Sequence, residues 1–366
     1  MARITGRDSR SPCRFLPAVS GPSLPRAPTL APAYPERVAD FPGVRLHVVS
    51  GKGGTGKTTV AASLALALAA GGRKVLLTEV EGRQGIAQLF DCPPLPYEER
   101  KVAVAAGGGD VYALAVDPEA ALLDYLHMFY KLSPTGIPAR TLRRMGAIDF
   151  ATTVAPGLRD VLLTGKVKEA VVRRRPDGRP AYDAVVLDGP PTGRITRFLN
   201  ISHEVGGLAK VGPIKTQSDN VMAVLQSPQT AVHLVTLLEE MPVQETLDGA
   251  AELTNVGLPV GGVVVNAVRE PLLPAPDLAA AARGELDVAA LAAGLKEAGL
   301  EADDTLVGAL AGEAGDHAQR VALEERGRDS LAALQRPTYE LPLLSDTVDL
   351  GGLYRLAELL REQGMA

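Results

Sequence analysis

The sequence predicts an α/β protein with a mainly parallel sheet, helices on both faces of that sheet, and an inserted helical subdomain. Three observations predict this class. Short β-branched runs alternate with helical segments over most of the chain. The runs are almost continuously apolar, as in parallel strands that are buried on both faces. A glycine-rich loop connects the first run to an apolar helix, which is the local order of a phosphate-binding fold.

Seven strands are predicted from the β-branched runs. The first strand, Leu46–Val49, leads directly into the glycine-rich loop. The others are separated from it by loops and by segments with helical spacing. They are Lys74–Val80, Asp110–Asp117, Asp183–Asp188, Ala231–Thr236, Gly262–Asn266 and Thr338–Leu344.

The glycine-rich loop reads GKGGTGKT and matches the phosphate-binding pattern G-x-x-x-x-G-K-S/T. Its glycines let backbone N–H groups turn toward a phosphate, and the following helix directs its positive end to the same place. Lys57 is predicted to contact the β- and γ-phosphates of ATP, and the Thr58 hydroxyl to bind Mg²⁺. The fold is therefore predicted to be that of a P-loop nucleoside triphosphatase. The predicted nucleotide-binding residues of the loop are Gly51, Lys52, Gly53, Gly54, Thr55, Gly56, Lys57, Thr58 and Thr59.

The domain organisation follows from the composition along the chain. Residues 1–42 are rich in Pro, Arg and Ser without periodicity, and we expect a disordered leader there. Residues 43–366 are predicted to form a single P-loop domain. Helical insertions are expected at about 118–175 and 204–227, where the crossovers are longer than a plain sheet needs.

Charge, hydropathy and cysteine content indicate which classes of partner and which cellular compartment to expect. The net charge is −5 with 22% charged residues, so no basic excess suggests nucleic acid as a partner. No apolar run approaches a membrane span, so stable membrane insertion is not expected. The two cysteines, Cys13 and Cys92, lack the spacing of a zinc site or a redox pair, which favours a reducing, cytoplasmic location.

Lys52, directly after the first glycine of the loop, is not required by the basic motif. The form G-K-G-G-x-G-K-T-T resembles the deviant loop of the family that includes arsenite-pump ATPases, tail-anchored-protein targeting ATPases, MinD and ParA. In that family the early lysine crosses a dimer interface to the nucleotide of the partner. The resemblance implies that Lys52 acts catalytically with Lys57 in a homodimer, or in a heterodimer with a paralogous ATPase.

Two further motifs resemble the arsenite-pump branch. Asp188 ends an apolar strand and begins D-x-x-P-T-G-x-x-x-R-F/L-L, which resembles the second switch of that branch. MinD and ParA lack this Pro-Thr-Gly. The resemblance implies that Asp188 holds Mg²⁺ through water. Residues Val235–Thr246 resemble V-T-x-x-E-E-M-x-V-x-E-T of the same branch.

Asn266, at the end of a predicted strand, is implied by the resemblance to bind the adenine edge. An Asn side chain offers the donor and the acceptor that this edge needs. Pro342 and Leu343 are expected to pack near the base. A turn-forming asparagine remains the alternative for Asn266.

The first switch is where the chain departs from the family. Glu81 occupies the position of the family's water-orienting aspartate and extends the carboxylate by about 1.5 Å. A misplacement of about 1 Å can lower a rate ~10²-fold. Glu81 is predicted to position the attacking water, with Glu79 as a second candidate and a solvated loop carboxylate as the alternative. Arg194, which replaces a family histidine, is expected to be a surface residue, and stabilisation of phosphate charge is its alternative role.

The resemblance implies a Mg²⁺-dependent, ATP-hydrolysing dimer that opens and closes around a client, with a hydrophobic peptide or membrane-protein segment as the leading candidate. One alternative is a weakly active regulatory subunit of a heterodimer, which Glu81 motivates. The other is a MinD/ParA-like positioning switch, although the amphipathic Leu353–Gly364 carries only two cations. Four apolar residues of the first insertion either line a client groove or belong to the core, which is favoured: Leu122, Leu126, Phe129 and Met145.

Overall fold

The protein is built around one eight-stranded sheet. The structure is a computed structural model and describes residues 39–130, 156–200, 213–344 and 348–366. The strands are β1 Leu46–Gly51, β2 Lys74–Glu79, β3 Arg100–Val104, β4 Asp110–Ala115, β5 Ala184–Asp188, β6 Thr230–Thr236, β7 Val260–Val268 and β8 Thr338–Pro342. Their order is β3-β4-β2-β5-β1-β6-β7-β8, so β1 lies near the middle.

The sheet is parallel except at one edge, which confirms the predicted α/β class. The exception is β3, which pairs antiparallel with β4 and was not predicted. Its residues are exposed or half-buried, and it begins with Arg100 and Lys101. An edge strand needs no continuous apolar run because water solvates its outer side, so the signal used for the other strands is missing.

Helices connect the strands and cover both faces of the sheet. In the described residues they are α1 Lys57–Ala69, α2 Gly85–Leu89, α3 Pro118–Tyr130, α4 Pro156–Val172, α5 Thr192–Leu199, α6 Pro213–Leu225, α7 Glu240–Asn255, α8 Ala275–Ala282, α9 Val288–Glu297, α10 Asp304–Ala332 and α11 Leu350–Glu362.

The helical insertions are partly described. The first contains α3 and α4, and it ends earlier than predicted, because α4 stops at Val172 and Arg174 forms a β-bridge with Pro180. The second contains α6. Leu122 is buried, as a core residue would be. Met145 and the side chains of Leu126 and Phe129 lie outside the described residues.

The predicted leader overlaps the folded part of the chain at its end. The Tyr339 hydroxyl donates to Asp40 Oδ2 over 2.6 Å, and the Asp40 N–H donates to the Gly364 carbonyl over 2.8 Å. The Phe41 ring packs on the core and meets the His233 ring edge-on at 4.8 Å. Residues 40 and 41 therefore belong to the domain rather than to the leader, while residues 1–38 lie outside the described part.

Two apolar layers sandwich the sheet. One layer joins α1 and α11 to the strands, and α1 is apolar and buried over nearly all of its length. The other layer joins α4, α5, α6 and α7 to the opposite face. Burial on both faces explains why most strands are apolar without alternation. Among the described residues, no helix is both long and apolar enough to cross a bilayer.

A pair of histidines lies inside the first layer, between β1 and β6. His47 and His233 are both fully buried, their rings stack 5.3 Å apart, and His47 Nδ1 lies 3.0 Å from His233 Nε2. The Gly262 N–H donates to His233 Nδ1 over 3.1 Å. His233 Nδ1 must then be the acceptor, so its Nε2 carries the proton and donates to His47.

Candidate nucleotide site

The phosphate-binding loop lies at the carboxyl end of β1, between Gly51 and the start of α1 at Lys57. Gly54 and Gly56 have φ values of +89° and +84°, a region that other residues rarely adopt. A Cβ atom on Gly51 would lie 2.1 Å from the Val235 carbonyl oxygen of the neighbouring strand. The sequence therefore needs glycine at these positions to form the loop beside β6.

Lys57 points into the loop from the first turn of α1. Its Nζ donates to the Lys52 carbonyl over 3.3 Å, and the Thr55 hydroxyl donates to the same carbonyl over 2.9 Å. Burial lowers the Lys57 pKa, while the carboxylates of Asp188 and Glu81 raise it. A cation is thus held at the centre of the loop, with two acidic groups nearby.

Thr58, in the first turn of α1, contacts Asp188 at the end of β5. β5 pairs with β1 so that Asp188 lies opposite Val49, and the Thr58 hydroxyl donates to Asp188 Oδ2 over 2.7 Å. Burial raises the Asp188 pKa to about 6, although the Thr58 hydrogen bond and the charge of Lys57 act in the other direction. A buried carboxylate of this kind favours a nearby cation because a cation restores the charged form.

This pair of oxygens fits Mg²⁺. The ion prefers oxygen ligands and usually takes one or two from the protein, with water and substrate phosphates completing the octahedron. In the described ranges no group of three or more His, Cys, Asp or Glu side chains could form a larger metal cage. Thr58 and Asp188 would hold the ion, which would neutralise phosphate charge during transfer.

The loop after Asp188 is attached to the phosphate-binding loop. The Ser50 hydroxyl donates to the Pro190 carbonyl over 2.7 Å, and the Gly189 N–H donates to the Val49 carbonyl over 2.9 Å. Sequence reasoning did not identify Ser50, because a serine at the end of a strand has many other roles. These hydrogen bonds join the two loops directly.

Glu79 braces the loop that follows β2. One carboxylate oxygen accepts from the Gln84 N–H over 2.5 Å, and the other accepts from the Ile86 N–H over 3.3 Å. The side chain is buried. Both oxygens are thus occupied by backbone, which argues against Glu79 as the water-positioning residue.

Glu81 lies in that loop between two arginines. Its carboxylate is 3.5 Å from an Arg83 nitrogen and 3.5 Å from Arg194 Nη1. The loop lies against the start of α1, where a Cβ atom on Gly85 would be 3.2 Å from Thr58 Cγ2. Glu81 is 17% exposed and Arg194 is 62% exposed, so Arg194 is a surface residue as predicted, but one that contacts Glu81.

Lys52 makes an ion pair within its own chain. Its Nζ lies 2.9 Å from Oε1 of Glu245, a residue of α7. Oε2 of the same carboxylate accepts from the Thr192 hydroxyl over 3.2 Å. Sequence reasoning did not single out Glu245, although it lies in the Val235–Thr246 motif.

Asn266 supports the phosphate-binding loop from the end of β7. Its Nδ2 donates to the Thr55 carbonyl over 2.9 Å, and a Cβ atom on Gly56 would lie 2.3 Å from that nitrogen. The next residue, Ala267, has a φ of +53°. Asn266 therefore forms no turn, and the left-handed residue is Ala267, which lies inside β7 where the pairing with β8 is irregular.

The predicted base-contacting residues lie at the end of β8, the strand adjacent to β7, with Leu343 directly after it. Pro342 pairs with Val268, and the Leu343 N–H donates to the Val268 carbonyl over 2.8 Å. Leu343 is 53% exposed. A cavity of about 50 Å³ opens where β6 and β7 end, and its lining residues are Leu237, Leu238, Glu239, Ala267, Val268, Arg269 and Glu324.

The site therefore gathers at one edge of the sheet, the edge at which parallel α/β sheets bind ligands. The loop after β1, Asp188 after β5, Glu81 after β2 and Asn266 on β7 all lie there. Distant parts of the sequence meet because β5, β1, β6 and β7 are consecutive in the sheet. The arrangement can bind a triphosphate and place a carboxylate near its end.

Similarity to known proteins agrees with this site. The model of the anion-transporting ATPase family matches residues 44–226. ATPase BagA of Mycobacterium tuberculosis is 57% identical over 332 residues, which cover 91% of this chain and 96% of that protein. ATPase GET3 of Kluyveromyces lactis is 26% identical over 249 residues, covering 60% of this chain and 70% of that protein.

A third relative is the arsenical pump-driving ATPase of Acidiphilium multivorum. It is 27% identical over 267 residues, which cover 68% of this chain and 44% of that protein. The family match includes the phosphate-binding loop, Glu81, Asp188 and Arg194. The chain belongs to the anion-transporting ATPase family, and it binds nucleotide and hydrolyses ATP.

Proposed function

We propose that this ATPase works as a Mg²⁺-dependent dimer in which each nucleotide is contacted by both copies. The observation that carries the proposal is the contact between Thr58 and Asp188 beside the buried Lys57. Lys52 extends the proposal to a dimer, because its side chain is 29% exposed and the loop already contains Lys57 to bind the phosphates. A second copy would therefore be the natural target of Lys52.

Each site residue has a role in this proposal. Lys57 binds the β- and γ-phosphates, and Thr58 and Asp188 hold Mg²⁺. Glu81 orients the attacking water, and Lys52 of the second copy stabilises the charge that develops during transfer. Asn266 contacts the adenine edge, next to Pro342 and Leu343.

The proposal also includes a client. We infer a hydrophobic protein segment, with the helical insertions opening and closing around it. Arsenite favours several soft thiolate ligands, and the chain has only Cys13 and Cys92, far apart in sequence. A hydrophobic client needs no such ligands.

A second candidate function is a weakly active subunit that regulates a paralogue. It is favoured by Glu81, which is one methylene longer than the family's aspartate and is held between Arg83 and Arg194. A positioning switch with a membrane-binding end has less support. The apolar face of α11 is buried with α1 in one core layer, through Leu353, Leu356, Ala357 and Leu360.

Two measurements on the purified full chain test the proposal. Phosphate release should be Mg²⁺-dependent, should rise more steeply than linearly with protein concentration, and should be abolished in Lys57→Ala. Sedimentation velocity should show a dimer with Mg²⁺ and a non-hydrolysable ATP analogue. Lys296→Ala, which changes an exposed lysine of α9, is the matched control and should behave as wild type.

The outcomes separate the candidates. Turnover that is linear in protein concentration, from a chain that stays monomeric with the analogue, would contradict the dimer. A dimer that binds ATP without turnover, and that gains turnover only with a paralogue, would favour the regulatory subunit. Unchanged turnover in EDTA would contradict the role of Mg²⁺.

A further inference from the structure

One carboxylate contacts both the phosphate-binding loop and the start of the helix after Asp188. Glu245 lies in α7, where Oε1 is 2.9 Å from Lys52 Nζ and Oε2 accepts from the Thr192 hydroxyl over 3.2 Å. Both oxygens are thus engaged, each by a different functional segment. This side chain therefore links the lysine of the proposed dimer contact to the proposed second switch.

Thr192 lies at the α5 end of this link. It is the first residue of α5, only four residues after Asp188, and it is buried. A Cβ atom on Gly249, one turn further along α7, would lie 3.3 Å from Thr192 Cγ2, so glycine allows the two helices to approach closely there. Another pair follows along the same contact, where the Thr196 hydroxyl donates to Glu252 Oε2 over 3.2 Å.

The Lys52 end of the link is easier to break. The side chains of Lys52 and Glu245 are 29% and 37% exposed, so water and salt screen their attraction. A triphosphate carries more negative charge than one carboxylate and can compete for the same ammonium group. Lys52 can therefore pair with Glu245 in one state of the protein and with a triphosphate in another.

We propose that Glu245 is a positioning residue that holds Lys52 within its own chain and releases it toward a second copy when ATP orders the loop after Asp188. This inference rests on the proposed function, because it assumes that Lys52 acts across a dimer. Movement of Thr192 with that loop removes one of the two groups that fix the carboxylate. Glu245 is then no longer held in position beside Lys52, and nucleotide state controls the availability of the lysine.

The test is Glu245→Gln in the full chain. Glutamine keeps the shape and an oxygen for the Thr192 hydrogen bond, but it removes the charge that attracts Lys52. We expect dimerisation without nucleotide to strengthen, so that the ratio of dimer affinities with and without the ATP analogue falls by about fivefold or more. The KM for ATP should change more than kcat, because the competing ground-state contact is lost.

Glu252→Gln is the matched control. Glu252 lies on the same helix and accepts from a threonine of α5 in the same way, but no lysine of the phosphate-binding loop contacts it in the described structure. Its dimer affinities and KM should equal those of the wild type. Thermal unfolding of both variants should be close to wild type, so that a misfolded protein is not mistaken for an uncoupled one.

Lys52→Gln separates this inference from the proposed function. If Lys52→Gln abolishes nucleotide-dependent dimerisation while Glu245→Gln behaves as Glu252→Gln does, the coupling through Glu245 is wrong and the dimer proposal stands. If Lys52→Gln has no effect on dimerisation or turnover, both are wrong. In a Lys52→Gln background Glu245→Gln should add nothing, and a further change there would contradict the link.

Discussion

The Arg194 guanidinium lies 3.5 Å from the Glu81 carboxylate, with Nη1 as donor and Oε1 as acceptor. The contact joins the loop after β2 to the first turn of α5. Both positions depart from the arsenite-pump pattern, which has aspartate and histidine there. Because the two departures touch, we infer that the longer carboxylate and the arginine act together.

Replacement of Glu81 tests its proposed role in positioning water. Glu81→Gln should lower kcat by about 10²-fold or more, because the neutral amide loses the charge and one of the two acceptor oxygens with which the carboxylate orients the attacking water. ATP binding should persist, since Lys57, Thr58 and Asp188 are unchanged. The measurements are phosphate release at saturating Mg·ATP and titration with a fluorescent ATP analogue. Glu98→Gln, at an exposed position of the loop before β3, is the control. A kcat close to wild type in Glu81→Gln would remove this role.

Replacement of Arg194 distinguishes its two possible actions. If Arg194 acts only by holding Glu81, Arg194→Gln should reduce kcat less than Glu81→Gln and should have no effect in a Glu81→Gln background. If its guanidinium contacts phosphate directly, it should lower kcat in both backgrounds. Our account predicts the first pattern, because the contact in the structure is to Glu81. A double-mutant cycle on kcat gives the answer.

Removal of the Asn266 side chain should loosen the phosphate-binding loop. Asn266→Ala loses the hydrogen bond to the Thr55 carbonyl, which contributes about 1 kcal/mol, so nucleotide affinity should fall roughly fivefold. Asn255→Ala, at the exposed end of α7, is the control. Equilibrium binding of ADP measures the effect without hydrolysis. Unchanged affinity in Asn266→Ala would show that the loop does not depend on this contact.

The buried histidine pair should make the fold sensitive to acid. Burial lowers the His47 pKa from 6.5 to about 4, with the Val44 backbone opposing and Arg73 adding to the shift. Burial, with nearby His47, also lowers the His233 pKa. The histidines of the unfolded chain bind protons at a higher pH than the buried histidines of the folded chain. The free energy of unfolding that is present above pH 6.5 is therefore lost as the pH falls toward the pKa of the folded state. For His47 the loss reaches about 3 kcal/mol near pH 4.

Urea unfolding at several pH values between 7.5 and 4.5 measures this loss. Asp188 acts with the opposite sign in part of the window, because its folded pKa is raised to about 6 and the folded chain gains a proton there first. The series is therefore run in an Asp188→Asn background. A flat free energy of unfolding between pH 6.5 and 5 would contradict the prediction.

The sequence predicted the parts of the fold that short patterns define. The phosphate-binding loop and the apolar strands depend on neighbouring residues, so their signals are local. β3 was missed because an edge strand carries no continuous apolar run. Lys52 and Glu245 are 193 positions apart and meet only through the placement of α7 beside β1 and β6. The same holds for His47 and His233, whose contact depends on the register of two strands.

Side-chain roles were harder to predict than positions. Glu79 and Glu81 are both glutamates and lie two residues apart, so the sequence does not distinguish their roles. Only the structure shows that Glu79 accepts from two backbone N–H groups and supports the loop, which leaves Glu81 as the candidate for positioning water. Asn266 was predicted to bind the adenine edge, which stays a prediction, and the structure places its side chain against the phosphate-binding loop. Its partner, the Thr55 carbonyl, depends on the exact path of the loop, which a motif does not describe.

Mixing two inactive variants tests the central claim, that Lys52 acts on the nucleotide of a second copy. Lys52→Ala keeps Lys57 for its own nucleotide, and Lys57→Ala keeps Lys52 to offer to its partner. An equal mixture should contain half mixed dimers, each with one complete site of two, so turnover should recover to about one quarter of wild type. If the mixture is no more active than the sum of its separate components, Lys52 does not act across a dimer and the account is wrong.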